Sequence, residues 1–165
     1  CREAGLDVQF QQLDMRELDF DGEFDAVFNW FGSFGYFSDR DNLQFARRVF
    51  TALKPGGRFL VEGLNKSWLL ANFEPQREET IGAVMVRHRG RWDARNNRLS
   101  DTWTLTSRNR TERHTVDIRL YNGTELRSLL RAAGFRQIQL YGYPPLGRFT
   151  RHSRRWIAVA RRPSV

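Results

Sequence analysis

Asn29-Trp30-Phe31 closes an apolar run that begins at Phe24. At a sheet's carboxyl edge, backbone carbonyls and a polar side chain can hold a ligand's ammonium group. The alternative is that Asn29 satisfies local backbone groups while Trp30 and Phe31 complete the core. The run leads into Gly32-Ser33-Phe34-Gly35-Tyr36-Phe37, too glycine-rich for a helix and too aromatic for a solvated linker. Tyr36 offers a phenol there. Upstream, Asp14 and Met15 follow a stretch carrying Val8, Phe10 and Leu13. Asp117, Arg119 and Tyr121 recur at period two, which places them on one side of a strand. Arg155 precedes the last apolar run, and an arginine so placed suits a carboxylate or phosphate. Such residues bind and orient a ligand. No nucleophilic triad is evident, and one cysteine with three scattered histidines gives no metal site. His88, His114, Asp117 and Tyr121 are the groups able to serve as a base, and no catalytic residue is assigned.

The surrounding pattern shows how these residues are positioned. Residues 1–4 read as the last turn of a helix with Gly5 as its cap. Asp7 to Leu13 and the nearly all-apolar Phe24 to Trp30 read as strands, the second covered on both faces. Ser38 is an N-cap with Asp41 three residues on, and Leu43, Ala46, Val49, Phe50 and Leu53 form one helical stripe. Pro55-Gly56-Gly57 ends that helix and feeds the strand Arg58 to Glu62. Ser67 to Phe73 reads as a short helix capped by Ser67. From Gly82 to Tyr121 the period becomes alternating, which predicts a three-stranded antiparallel meander. An amphipathic helix over Thr124 to Ala133 stops at Gly134, and strands over Phe135 to Tyr143 and Trp156 to Arg161 follow.

At 165 residues, 40% hydrophobic and 13% aromatic, the chain suits one folded domain, 1–165, with residues 82–121 as an insertion. No apolar stretch approaches the roughly 20 residues that span a bilayer. A single cysteine suits a reducing cytoplasm. Charge is uneven: residues 1–76 carry 8 basic and 12 acidic side chains, and residues 77–165 carry 19 and 7. A basic half can mark a polyanion-binding surface. Here the arginines are spread singly and no nucleic-acid motif accompanies them, so an RNA-binding or RNA-methylating protein is the alternative rather than the leading expectation.

A strand, a helix stopped by Leu53-Lys54-Pro55-Gly56-Gly57 and a second buried strand, with Asp14 closing an earlier one, resemble the second half of a class I S-adenosylmethionine-dependent methyltransferase. Gly32 to Phe37 looks like a stretch found in one branch of small-molecule methyltransferases. The resemblance implies an α/β fold, a partial Rossmann-like doubly wound sheet. It would be mostly parallel, with an antiparallel C-terminal strand pair and the meander as substrate lid. It also implies S-adenosylmethionine as cofactor, with Asp14 accepting from the adenine amino group and the Met15 amide against the ring. Asn29, Trp30 and Phe31 would meet the methionine part. Tyr36, Arg119, Tyr121 and Arg155 would meet the methyl acceptor, a nitrogen or oxygen of a small molecule. Asp14 and Asn29 are expected on neighbouring parallel strand edges that share one crevice. The departures are Cys1 in place of Met and the lack of any Gly-x-Gly. They suggest a C-terminal part of a longer enzyme, inactive alone. A non-catalytic protein of this fold and a nicotinamide dehydrogenase are the remaining readings, and the oligomeric state is not legible.

Overall fold

The structure is a computed structural model that describes residue 5 and residues 7–164. Its elements run β1 (Phe24–Asn29), α1 (Asp39–Ala52), β2 (Leu53–Leu64), α2 (Lys66–Ala71), β3 (Gln76–Ile81), β4 (Val84–Asp93), β5 (Arg98–Ser107) and β6 (Arg110–Arg119). After them come α3 (Gly123–Ala132), β7 (Arg136–Tyr143), β8 (Gly147–Arg148) and β9 (Arg155–Arg161). One sheet has the order β1-β2-β9-β7-β8 and the other the order β3-β4-β5-β6.

The helices form where the patterning places them. Ser38 accepts from the Asp41 amide and caps α1, whose stripe of Phe45, Ala46 and Val49 is buried. Asn122 and Glu125 make a reciprocal capping box that starts α3, which buries Leu126 and Leu130. Both helices contribute to a single core with Phe59 and Val61 of β2 and with Trp156, Ala158 and Ala160 of β9. Phe135 stacks on Phe59 at 5.6 Å between centroids and meets Phe50 edge-on at 5.2 Å. Burying one such leucine or phenylalanine contributes about 1.5–3 kcal/mol.

The α/β reading with an inserted antiparallel sheet holds, with four differences of detail. First, β1 and β2 are the one parallel pair among the described residues, because β9 enters between β2 and β7 and runs against both. Second, Asp7 to Leu13 form no strand: these residues pair with no neighbour, and Phe10 is 82% exposed. Third, β1 is covered on one face only, since Val27 and Asn29 turn toward the helices while Phe28 is 75% exposed. Fourth, the meander gains a strand, β3, through the Gly82-Ala83 turn. In addition, Asn65 rather than Ser67 caps α2. The helix turn read over residues 1–4 lies outside the described residues.

Candidate functional site

β1 ends at Asn29, one strand spacing from Val61 of β2 in a parallel register. The chain then turns sharply. Phe31 has φ 59° and Gly32 has φ 70°, and the hydroxyl of Ser33 donates to the Trp30 carbonyl at 2.8 Å. Two successive left-handed residues swing the backbone away from the sheet and leave the Phe31 ring 89% exposed. The Trp30 ring faces Tyr143 of β7 at 6.4 Å. Asn29 is buried, and its Oδ1 has no hydrogen-bond partner. A buried acceptor left unsatisfied costs about 1–3 kcal/mol, so it marks a place where a donor belongs.

The turn is held at both ends. At the β2 side, the Gly32 amide donates to Oε2 of Glu62 at 3.0 Å, and Arg155 donates through Nε to Oε1 of the same carboxylate. At the other side, the Arg119 amide donates to the Gly35 carbonyl at 2.8 Å. Arg98 of β5 donates to the carbonyls of Tyr36 and Phe37 at 3.1 and 2.9 Å, and Asn42 donates to the latter at 2.9 Å. The inserted sheet is thus tied to the aromatic turn through backbone carbonyls. Tyr36 keeps a partly exposed ring at this junction.

Arg119 and Tyr121 lie beneath the turn rather than facing open space. Arg119 is buried, donates to Oδ1 of Asp39 at 2.9 Å and sits 4.5 Å from the Tyr121 ring centroid. Its Nη1 is 3.8 Å from Glu125. The Tyr121 hydroxyl donates to Asp39 at 3.2 Å and accepts from Asn42 at 3.1 Å. Burial, then the nearby Asp39 charge, push the phenol well above its ordinary range, so Tyr121 stays protonated and is no general base. Asp117, expected on the same face, is exposed and paired with Arg98. His114 is exposed beside Glu112, and His88 is buried in the inserted sheet between Glu79 at 3.1 Å and Asp101 at 3.3 Å.

Asp14 does not share a strand edge with Asn29, because residues 7–13 form no strand. It caps the 3-10 turn Met15–Glu17 instead. Its carboxylate accepts from the Arg16 amide at 2.9 Å and from the guanidinium at 3.0 and 2.6 Å, and these bonds hold its carboxyl down at about 2. Arg16 in turn lies 4.6 Å over the Phe37 ring, and Met15 packs against the core. Asn29, Trp30, Phe31, Tyr36 and Arg155 therefore gather around one turn, Arg119 and Tyr121 support it, and Asp14 reaches it only through Arg16. Sequence reading passed over Glu62, Arg98 and Asp39, which the fold brings to that turn from distant positions. A carboxylate ending an otherwise apolar strand was the available signal for Glu62.

Residues 1–57 match the family model described as a methyltransferase domain. No protein of curated function matches the chain. Among solved structures, an S-adenosylmethionine-dependent methyltransferase from Clostridium acetobutylicum superposes with a TM-score of 0.86 at 14% identity, over 98% of this chain and 68% of the other. The CcbJ methyltransferase from Streptomyces caelestis gives 0.79 at 20% identity, over 91% and 62%. CalS10, an S-adenosylmethionine-bound amino pentose methyltransferase from Micromonospora echinaspora, gives 0.63 at 20%, over 90% and 62%. The chain spans 62–68% of the length of these proteins. At such identities the likeness is one of fold. The family match lies in residues 1–57 and the likeness of fold extends over the rest of the chain, both toward the class that the sequence resembles.

Proposed function

We propose that this chain serves S-adenosylmethionine-dependent methyl transfer to a nitrogen or oxygen of a small molecule, with the cofactor held at the carboxyl edge of β1. The observation that carries the reading is the unpartnered, buried Oδ1 of Asn29 beside a left-handed aromatic turn. An acceptor with no donor, next to exposed ring faces, fits a ligand with an ammonium group and a second cationic centre. Both belong to this cofactor. When bound, it supplies a methyl group made electrophilic by the sulfonium. This chain's own residues then have two tasks. Asn29 accepts from the ammonium, while Trp30, Phe31 and Tyr36 exclude water and line up the acceptor's lone pair; alignment of this kind supplies much of an in-line displacement's acceleration.

Arg155, whose side chain is 28% exposed against 9% for Arg119, is the acceptor-facing arginine in this proposal: its Nε is taken by Glu62 and its Nη edge is left for the acceptor. Asp14 and Met15 remain proposed adenine contacts, with the aspartate able to accept a further hydrogen bond beside those from Arg16. A reducing cytoplasm is the proposed setting for a chain with one cysteine. Among the described residues, no helix is long and apolar enough to cross a membrane.

Transfer of labelled methyl from S-adenosylmethionine tests the proposal, using the protein expressed from its complete reading frame. A panel of primary amines, amino sugars and phenols is offered beside total RNA. Label in a small acceptor is the expected result. Label confined to RNA, or in no fraction at all, would overturn it.

A further inference from the structure

Glu62 is 2% exposed, the most costly place for a carboxylate unless it is paired. The strand does not need it. Backbone register with β1 and β9 sets β2, and Phe59 and Val61 supply its contribution to the core. Period two turns Leu60 and Glu62 to the opposite face, where an apolar side chain would complete the sheet. Yet both oxygens of Glu62 are spent on the ligand edge: Oε2 on the Gly32 amide, Oε1 on Arg155. These partners also touch each other, since a Cβ on Gly32 would lie 3.1 Å from Nη2 of Arg155. Glycine at φ 70° is what lets the guanidinium rest against the turn.

We propose that Glu62 is a positioning residue that sets the turn after β1 and the Arg155 guanidinium together. Fixing the Gly32 amide fixes the left-handed pair Phe31–Gly32, and with it the direction in which Asn29 and the two rings face the ligand. Taking Nε of Arg155 leaves the Nη edge directed at the turn. One buried carboxylate on β2 thereby couples the residues that would hold the cofactor to the arginine that would meet the acceptor. The identity of the ligand rests on the proposed function; the coupling itself does not.

The test compares wild type, Glu62→Gln and Glu62→Ala, with Asp25→Asn as a control that breaks the exposed Lys54–Asp25 pair elsewhere on the β1–β2 pair. Amide hydrogen exchange over residues 30–35, calorimetric affinity for S-adenosylhomocysteine and the urea midpoint are measured on each. A glutamine keeps one acceptor but loses the charge, so Glu62→Gln accelerates exchange at Gly32 and weakens S-adenosylhomocysteine about tenfold. Its midpoint stays near that of the control, and Glu62→Ala exceeds Glu62→Gln both in acceleration at Gly32 and in loss of affinity. Unchanged exchange at Gly32 in Glu62→Gln would overturn the proposal. So would uniform acceleration of all amides with a lowered midpoint, which marks a general stabiliser. Selective acceleration in a protein that binds no S-adenosylhomocysteine would support the positioning role while removing the cofactor reading.

Discussion

Arg119 and Tyr121 meet Asp39, and Asn42 joins them through the Tyr121 hydroxyl, in a small network whose members come from α1, from the end of β6 and from just beyond it. Tyr121→Phe removes the hydroxyl and leaves the Asn42 amide with its other acceptor, Phe37, so a loss of about 1 kcal/mol is expected in chemical denaturation. Ligand affinity should be unmoved, because the hydroxyl is spent on protein partners. Asp14 gives a pH signature. Its folded pKa is depressed to about 2 from 3.8, so its stabilisation is complete above 3.8 and fades as pH falls toward 2. Fluorescence or NMR reporters on Phe37 and Arg16 should change in that window and be flat in Asp14→Asn. The placing of Asn29, Trp30 and Phe31 at the end of β1 was legible because an apolar run bounded by a glycine-rich segment must stop at a sheet edge. The interior roles of Arg119 and Tyr121 were not, since period two assigns a strand face without saying which face the core takes.

Among the elements, α1, α3 and the inserted sheet were readable from capping residues and from the change of period. Asn122 with Glu125 and Ser38 with Asp41 are local signals, and local signals survive folding. What failed was non-local. Residues 7–13 alternate like a strand but have no strand beside them, and the mixed direction of the main sheet depends on where β9 inserts. The junction between the inserted sheet and the helices carries a charged contact beside its backbone bonds. Lys66 pairs with Glu125 and donates to Asn97 at 3.0 Å. Burial raises Glu125, but the Lys66 and Asn122 hydrogen bonds with the charges of Lys66 and Arg119 outweigh it, leaving its carboxyl below 4.5. A depressed folded pKa means stabilisation present above 4.5 and lost below it. Protection factors around Asn97 and Lys66, taken against the intrinsic exchange rate at each pH, should therefore fall below pH 4.5, and much less in Glu125→Gln. In the core, Leu130→Ala should cost about 2–5 kcal/mol, read from urea unfolding.

For the molecule as a whole, a net charge of +8 concentrated after residue 76 raises non-specific attraction for any polyanion. Retention on RNA is expected to collapse as salt rises, without the sequence preference that base contacts bring. In the proposed function, the five-stranded sheet, helices α1 and α3 and the tied insertion hold one turn in a fixed posture. This turn, in the proposed function, receives the ammonium of an S-adenosylmethionine-type ligand through Asn29. Side-by-side calorimetric titration of wild type and Asn29→Ala with S-adenosylhomocysteine measures that contact. A hydrogen bond to a charged donor contributes about 1.5–3 kcal/mol, so Asn29→Ala should bind at least about tenfold more weakly while its unliganded melting temperature is not lowered, since the orphaned acceptor is gone. Equal affinity in the two proteins, or no heat from either, would rule out Asn29 as the ammonium acceptor.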